Sequence, residues 1–257
     1  MTYLSNQFAT LLQQHQLATF EQLWAHAIDW FETPNERRGG WSGVGRLNLD
    51  AHNGAVTSLF VKKQQNHGRR TLLHPVVGEP TFRREFKRLQ FLAQHQFTCP
   101  KVVMYGESQV NNQQRAVLVT EALTDFVPLD VLMDTWFLSA SIAEKNSLMV
   151  RVATEIRRFH DLGLVHRALY PKHIFIKLSG IKLSGAQPEV ALIDLEKARF
   201  SWLGWYRTIF DLAALNRHTV GVRRTQRLKF FMYYMDVKQL DWFSKRLCRL
   251  ISQRSKR

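Results

Sequence analysis

The sequence of 257 residues carries 36 Lys+Arg against 21 Asp+Glu, which gives a net charge of +15 at pH 7. Apolar residues at 45% and charged residues at 22% exclude a disordered chain, and the length fits one large domain or two lobes. Two cysteines, Cys99 and Cys248, are too few for a disulfide framework and indicate a reducing compartment. Because the sequence also lacks a signal-peptide pattern and a bilayer-length apolar run, we expect a soluble, cytoplasmic protein with an anionic partner.

The first part of the chain, up to about Glu121–Asp125, is predicted to be rich in β-structure with one main helix. Helical patterns cover roughly the first thirty residues, where Thr19 and Gln22 form a candidate capping box, and the stretch from Thr81 to His95. A hairpin turn is indicated at Asn53-Gly54. Runs typical of short strands lie at Arg46–Leu49, Ser58–Val61, Val102–Tyr105 and Ala116–Thr120.

From Pro128 onward the pattern changes to longer helices. Two short strand candidates, Ile174–Lys177 and Val190–Ile193, interrupt them, and a Gly/Ser-rich loop at Ser179–Pro188 lies in between. We therefore expect four segments: an N-terminal helical extension over residues 1–35, a β-rich lobe over 36–121, a mostly helical lobe over 122–222 and a basic helical segment over 223–257.

The C-terminal segment carries most of the excess charge. From Arg223 to the end it holds eleven basic residues and two acids, so it supplies +9 of the total +15. Leu240, Phe243, Leu247 and Leu250 recur at helical spacing, which predicts one apolar face. We favour packing of this face on the core, and contact with an anionic membrane is the alternative. Nucleic-acid binding rests on charge alone, since no zinc pattern, repeat or RNA-binding fingerprint supports it.

A lysine and a glutamate in the front part have the spacing of a nucleotide site. Lys62 follows the apolar run Leu59–Val61, and Glu85 lies in the next predicted helix. Such a pair holds the α and β phosphates of ATP in protein kinases. Two solvated charges are the alternative, and because Lys63 is adjacent, the choice of Lys62 rests on strand register. The preceding glycine cluster, Gly39–Gly45, is expected to be a loop that approaches phosphates or, equally, a plain turn.

Four further motifs follow in the order of a protein kinase. The segment Leu118–Leu123 resembles a hinge that reads adenine, with Thr120 as gatekeeper, although any buried strand that leads into a helix gives the same pattern. Val165–Phe175 resembles a catalytic loop, and Asp194 resembles the metal-binding aspartate of D-F-G. Asp211 resembles the helix aspartate that braces the loop. Because these motifs occur in the correct order, we expect an α+β, protein-kinase-like two-lobed fold.

The closest resemblance is to the lipopolysaccharide kinase family, and within it to the InaA-like branch. It covers about residues 30–215 and rests on Arg38–Val44, Val61–Gln64, Tyr170–Lys177 and Leu192–Ala198. The resemblance implies Mg-ATP-dependent phosphorylation of a heptose or Kdo sugar of the lipopolysaccharide inner core in Gram-negative bacteria. It also implies a cytoplasmic location, peripheral to the inner membrane. An anionic, lipid-linked sugar as substrate agrees with the basic C-terminal segment.

Position by position, the resemblance assigns roles to a set of residues, with His166 and Asp211 as structural supports. The implied ATP-binding residues are Gly40, Gly43, Lys62, Glu85, Glu121 and Leu123, the implied Mg²⁺ ligand is Asp194, and the implied catalytic set is His166, Arg167, His173 and Asp194.

Two positions depart from the kinase pattern. Ala168 stands where the catalytic base Asp belongs, and His173 stands where protein kinases have a second metal-binding Asn. A positioned base contributes about 10²–10⁴-fold, so its loss weakens a kinase without necessarily abolishing transfer. His173 is a candidate substitute base, and a hydrogen bond within the loop or a metal contact are its alternatives. A pseudokinase that binds without turnover is therefore the competing function.

Overall fold

The computed structural model describes residues 2–31, 33–37, 39–50, 54–69, 78–178 and 188–256. The chain forms two compact units, Met1–Leu123 and Thr124–Arg257. Within the described ranges, none of the helices has the length and apolar character needed to cross a membrane. Parts of four predicted features lie outside these residues: Arg38 of the family motif Arg38–Val44, Asn53 of the hairpin turn, Ser179–Gln187 of the loop and Arg257 of the basic segment.

The first unit is built on an antiparallel sheet. Its helices are α1 (Asn6–Gln14), α2 (Phe20–Ala25) and α3 (Thr81–Gln94). Its strands are β1 (Thr2–Leu4), β2 (Asp29–Trp30), β3 (Asn35–Arg37), β4 (Gly40–Asp50), β5 (Val56–Gln65), β6 (Gly68–Arg69), β7 (Glu79–Pro80), β8 (Val102–Val110) and β9 (Gln113–Glu121). Within the described residues the main sheet has the order β1-β8-β9-β5-β4-β2, and β3 also pairs with β4.

The predicted strands of this unit are confirmed, and each is longer than its sequence pattern. The predicted helix from Thr81 is confirmed as α3, and the Thr19–Gln22 capping box is present at the start of α2. The helical prediction for the first thirty residues is wrong at both ends, because β1 and β2 join the main sheet. Strands of two or three residues are too short to show a period of two in the sequence.

The side chains of β5 alternate between the two faces of the strand, so that one set faces α1 and α2 and the other faces α3. Leu59 and Val61 are fully buried in the cluster that α1 and α2 form with the sheet. Lys63 faces the same way, and its Nζ donates to the carbonyl oxygens of Trp24 (3.0 Å) and His26 (2.6 Å) at the end of α2. A cation at a helix C-terminus is favourable because the last carbonyl groups lack partners within the helix. Burial lowers the pKa of Lys63 from 10.5 to about 8.

The second unit is mostly helical. Its helices are α4 (Leu129–Asp134), α5 (Trp136–Ser139), α6 (Ile142–Asp161), α7 (Gly204–His218), α8 (Arg224–Met235) and α9 (Trp242–Ser255). Its strands are β10 (Val127–Pro128), β11 (Leu164–Val165), β12 (Ile174–Lys177), β13 (Glu189–Leu192) and β14 (Arg199–Phe200). The strands form a β10-β12-β13 sheet and a β11-β14 pair. Both strands predicted for this part are confirmed, and each leads to or from a candidate site residue.

The predicted apolar face of the C-terminal segment is only partly buried. Leu247 and Ile251 are buried in α9, which packs on α7. Phe243 and Leu250 instead expose 50% and 37% of their surface. The face that packs on the core is centred on Leu247 and Ile251, so Phe243 and Leu250 lie at its edge, while Leu240 precedes the helix and is half-buried. The prediction that this face packs on the core is therefore correct for Leu247 and wrong for Phe243 and Leu250.

Lys63 makes the stability of the folded chain depend on pH. Its pKa is about 8 in the fold and 10.5 when unperturbed, so the unfolded chain binds the extra proton between these values. The unfolding free energy of the wild type should therefore rise relative to that of Lys63→Met, by roughly 1–2 kcal/mol between about pH 7.5 and 10. Urea unfolding followed by fluorescence measures this difference. A difference that stays constant across the range would contradict the assignment.

Candidate active site

The predicted pairing of Lys62 with Glu85 is present in the first unit. The Lys62 Nζ lies 2.7 and 2.8 Å from the two carboxylate oxygens of Glu85, and 18% of the Lys62 side chain is exposed against 5% for Glu85. Lys62 and Lys63 point to opposite faces of β5, so strand alternation settles which lysine meets α3. The surface-charge alternative is wrong for this pair. Contact with ATP phosphates stays a prediction.

A third residue of the same strand, Gln64, fixes the start of α3. Its Oε1 accepts from the Thr81 hydroxyl (2.9 Å) and from the Phe82 N–H (3.1 Å), while its Nε2 donates to the His67 carbonyl (2.6 Å). The residue at the N-cap position is Pro80, whose side chain cannot accept a hydrogen bond. Gln64 therefore does the work of an N-cap from a neighbouring strand, one helical turn before Glu85.

The outer side of α3 is anchored to β8. Arg83 donates to the Glu107 carboxylate, with 2.6 Å between Nε and Oε1, and the Tyr105 hydroxyl donates to the same carboxylate. Burial alone would raise the pKa of Glu107, but these hydrogen bonds outweigh burial and lower it. Phe86 stacks on Tyr105 with 4.3 Å between ring centroids. The helix that carries Glu85 is thus held at its start and along its length.

The glycine cluster is mainly strand. Arg37 pairs with Gly40, and Gly39 adopts a φ of +75° at the turn between β3 and β4. The expected loop over Gly39–Gly45 is therefore wrong for Gly40–Gly45, which belong to β4. The structure supplies a packing reason for two of these glycines: a Cβ at Gly40 would lie 2.4 Å from the Asn66 backbone, and one at Gly43 would lie 2.9 Å from the Trp30 ring. Phosphate contact by Gly40 and Gly43 stays a prediction.

The segment compared with a kinase hinge is the end of β9. Thr120 is buried, and the N–H groups of Glu121 and Ala122 donate to the carbonyl oxygens of Lys101 and Ser58, both at 2.9 Å. These two amides are therefore part of the sheet. Adenine binding by Glu121 and Leu123 stays a prediction.

In the second unit, one carboxylate organises the catalytic loop. Asp211 of α7 is fully buried and accepts from the backbone N–H of His166 (2.6 Å) and of Arg167 (2.8 Å). It also accepts from Nε2 of His160 at 3.0 Å. The His160 Nδ1 lies 2.7 Å from the Tyr234 hydroxyl, which links α8 to the same network. The bracing role predicted for Asp211 is thus visible as hydrogen bonds.

The two loop histidines are held in opposite tautomers. The His166 Nε2 lies 2.9 Å from the Ile193 carbonyl, to which it donates, and its Nδ1 accepts from the Ala168 N–H. The His173 Nδ1 lies 2.8 Å from the Ala168 carbonyl and therefore donates to it. Burial lowers the pKa of both rings, so both are neutral at pH 7. The structure shows the in-loop hydrogen bond that was one alternative for His173.

Asp194 lies two residues after the end of β13 and adopts the left-handed conformation, with φ +58°. The preceding residue, Ile193, is tied to both ends of the loop, because its carbonyl accepts from His166 and its N–H donates to the His173 carbonyl at 3.1 Å. The Asp194 carboxylate is 31% exposed and lies 3.5 Å from the His173 Nδ1. Catalytic loop and metal-binding motif are therefore one hydrogen-bonded structure.

Ala168 lies at the centre of this loop with only 1% of its surface exposed. Its backbone N–H and carbonyl groups are bonded to His166 and His173, so the loop keeps its shape without a carboxylate at this position. Arg167 has a φ of +67°, and its guanidinium packs over the Phe210 ring at 5.6 Å. Its Nε is buried and has no hydrogen-bond partner among the residues that the structure describes.

One carboxylate of the candidate site, that of Asp194, is suited to bind Mg²⁺. Mg²⁺ prefers oxygen ligands and is often held by one or two carboxylates together with substrate phosphates. Asp194 supplies such oxygens, and a neutral imidazole at His173 is a poor ligand for this ion. Across the described part of the chain, no group of three or more His, Cys, Asp or Glu side chains is placed to hold a metal. Asp194 therefore fits a metal that a nucleotide brings with it.

Comparison with known protein families gives a match over most of the chain. The model of the lipopolysaccharide kinase (Kdo/WaaP) family matches residues 21–234. The chain belongs to this family. Protein InaA of Escherichia coli (strain K12) is 29% identical to this family member over 185 residues, which are 70% of this chain and 78% of InaA. Lipopolysaccharide core heptose(I) kinase WaaP of the same strain is 30% identical over 204 residues, which are 77% of this chain and 72% of WaaP.

A solved structure, WaaP in complex with acyl carrier protein, matches with a TM-score of 0.72 at 21% identity. The match covers 100% of this lipopolysaccharide-kinase family member and 97% of the WaaP chain. This likeness confirms the α+β, kinase-like fold predicted from the motif order. It concerns the fold alone, because the identity is low.

The network around Asp211 should carry much of the stability of the second unit. Asp211→Asn keeps the shape of the side chain but presents an N–H group to one of its buried donors, so we expect the unfolding free energy to fall by about 2–4 kcal/mol. Urea unfolding measures the loss. Asp236→Asn is the matched control, because the Asp236 side chain is 83% exposed and lies 3.4 Å from the Arg157 guanidinium at the surface. Equal losses in the two variants would refute the role of Asp211.

Proposed function

We propose that this protein is an ATP-dependent kinase that phosphorylates a heptose or Kdo sugar of the lipopolysaccharide inner core. Membership of the lipopolysaccharide kinase family and the similarity to a heptose kinase support the substrate class. The observation that carries the proposal is the Lys62–Glu85 pair, since a lysine held by a glutamate at this point of a kinase-like sheet is placed to bind the phosphates of ATP. Asp194 on its braced loop supports the same conclusion from the second unit.

In this proposal each residue has a limited task. Lys62, oriented by Glu85, binds the α and β phosphates of ATP, and Asp194 holds Mg²⁺, which neutralises charge on the phosphates when it is bound. A bond forms between the acceptor hydroxyl oxygen and the γ-phosphorus, the bond to the bridging oxygen breaks, and ADP leaves. Because this transition state is loose, positioning and charge supply most of the rate, and the hydroxyl proton can pass to water.

The acceptor is an anionic, lipid-linked sugar, which suits a chain with a net charge of +15. We therefore propose that the protein works in the cytoplasm, at the inner face of the membrane. The C-terminal segment supplies +9 of this charge, which can attract the anionic acceptor.

Transfer from Mg-ATP to deep-rough lipopolysaccharide tests the proposal, with mass spectrometry of the product. Asp194→Ala should lower the transfer rate at least ~10²-fold, because the metal loses its protein ligand. Ala168→Asp should raise the rate by roughly 10²-fold, because it restores a positioned base. Wild-type transfer that is independent of Asp194, or no transfer by wild type while the nucleotide still raises its melting temperature, would refute the kinase assignment.

The second candidate is a pseudokinase, which Ala168 favours. Both backbone groups of Ala168 are hydrogen-bonded within the loop, so the loop can serve binding as well as transfer. Such a protein would bind Mg-ATP or a partner without turnover. It is the conclusion to draw if wild type binds nucleotide but transfers no phosphate, and transfer by Ala168→Asp would then assign the lost activity to Ala168.

A cavity in the second unit supports a further partner. It has a volume of about 830 Å³, and its walls are mostly apolar, with Leu129, Phe137, Leu215 and Phe231 among them. Basic residues, Arg217, Arg224, Arg227 and Lys256, also line it. A relative of the same fold has been solved in complex with acyl carrier protein. We propose that this cavity takes an acyl chain presented by an acidic carrier protein.

Charge reversal at the cavity should weaken that association. Arg224 is exposed and lines the cavity, so Arg224→Glu should weaken binding of palmitoyl-loaded acyl carrier protein by about 10-fold. Lys87→Glu is the matched control, because Lys87 is exposed on α3 in the other unit. Calorimetry with loaded and chain-free carrier separates the contribution of the chain from that of the protein surface. Equal effects of the two substitutions, or equal binding of both carriers, would contradict the proposal.

A further inference from the structure

Four large apolar side chains stand out from the surface where β14 leads into α7. Phe200, Trp202, Leu203 and Trp205, which we call the aromatic ridge, lie within six residues and expose 48%, 100%, 52% and 51% of their surface. Single exposed apolar residues are common on soluble proteins, whereas a contiguous group marks an interaction site. None of these four residues is among the candidate site residues described above.

The backbone beneath the ridge is fixed. Phe200 pairs with Leu164 in the β11-β14 ladder, and the Ser201 N–H donates to the Gly163 carbonyl at 2.9 Å. The Arg207 guanidinium donates to the Ser201 carbonyl from the first turns of α7. The side chains are therefore exposed on an ordered frame, so their exposure is a property of the fold.

The segment that carries the ridge, which directly follows Glu196, has charges of one sign only. From Lys197 to Phe210 the sequence contains three basic residues, Lys197, Arg199 and Arg207, and no acid. Lys197 and Arg199 are exposed. Asp211, the next acid along the chain, is fully buried in the loop network. Projecting tryptophans flanked by cations are typical of surfaces that enter the headgroup region of an anionic bilayer.

We propose that the aromatic ridge inserts into the interface of an anionic phospholipid bilayer. A ridge that projects from the surface needs no complementary pocket in a fluid interface, whereas a folded protein partner would have to supply one. The indole rings suit this region because they combine an apolar body with a polar N–H. The proposal does not depend on kinase activity, and it places membrane contact on a surface other than the basic C-terminal segment.

The contact would bring the catalytic loop to the membrane surface. The β11 strand, which pairs with β14, ends at Val165, directly before His166. The root of the ridge is thus a hydrogen-bonded neighbour of the loop. An enzyme held in this way would meet the sugar of a lipid-linked acceptor at the depth where the headgroups lie.

Vesicle co-sedimentation tests the proposal with the full-length protein. The variant Trp202→Ser/Trp205→Ser should bind vesicles of phosphatidylethanolamine and phosphatidylglycerol at least ~10-fold more weakly than wild type. Trp242→Ser is the matched control, since Trp242 is 71% exposed on α9 and also lies beside a cation, with Arg246 at 5.5 Å from its ring. The control should bind within about 2-fold of wild type. Binding of wild type to neutral phosphatidylcholine vesicles should be weak, because the cations then lack a partner.

A second measurement guards against misfolding of the double variant. Quenching of tryptophan fluorescence by brominated phosphatidylglycerol should be stronger in wild type than in Trp202→Phe, which keeps an aromatic ring on the ridge. Unchanged vesicle binding by the double variant, or an equal loss in Trp242→Ser, would overturn the proposal. The proposal would also be overturned if the double variant had a lower sedimentation coefficient than wild type, because the ridge would then be a contact between two copies of the chain.

Discussion

The buried carboxylate of Asp211, a residue of α7, accepts hydrogen bonds from the backbone N–H groups of His166 and Arg167 and from the His160 ring. A buried charge with three donors is stable only while those donors stay in place, so the loop and the carboxylate fix each other. His166 in turn donates to the Ile193 carbonyl, which sets the backbone next to Asp194. The geometry of the catalytic loop and of the backbone next to Asp194 therefore depends on one fully buried side chain.

The same network explains how the loop tolerates Ala168. The position of residue 168 is set by its own N–H and carbonyl groups, which bond to His166 and His173. An aspartate there would add chemistry without being needed for shape. Fold and catalytic competence are thus separable in this chain, and membership of a kinase family does not by itself decide turnover.

Much of the fold and part of the site could be predicted from the sequence. The capping box at Thr19, helix α3 and the Lys62–Glu85 pair are local patterns or residue types at a recognisable spacing, and each is present. Gln64 was missed because a glutamine that caps a helix from a neighbouring strand has no sequence signature. The hydrogen bond between His160 and Tyr234 spans 74 residues and becomes visible only in three dimensions. The loop predicted over the glycines of β4 was wrong because close packing against Trp30, like a tight loop, requires glycine.

Strand β5 carries a consequence for insertions and deletions. Lys62 and Gln64 serve α3 on one side of the strand, while Lys63 serves α2 on the other. If Val56 keeps its pairing with β4, insertion of a single residue between Val56 and Val61 would move Lys62, Lys63 and Gln64 on by one position and turn each of them to the opposite face of the strand. Val61 would then face Glu85, and Lys63, which cannot accept a hydrogen bond, would replace Gln64 at the start of α3. The chain length of β5 is therefore constrained more tightly than the identity of its apolar residues.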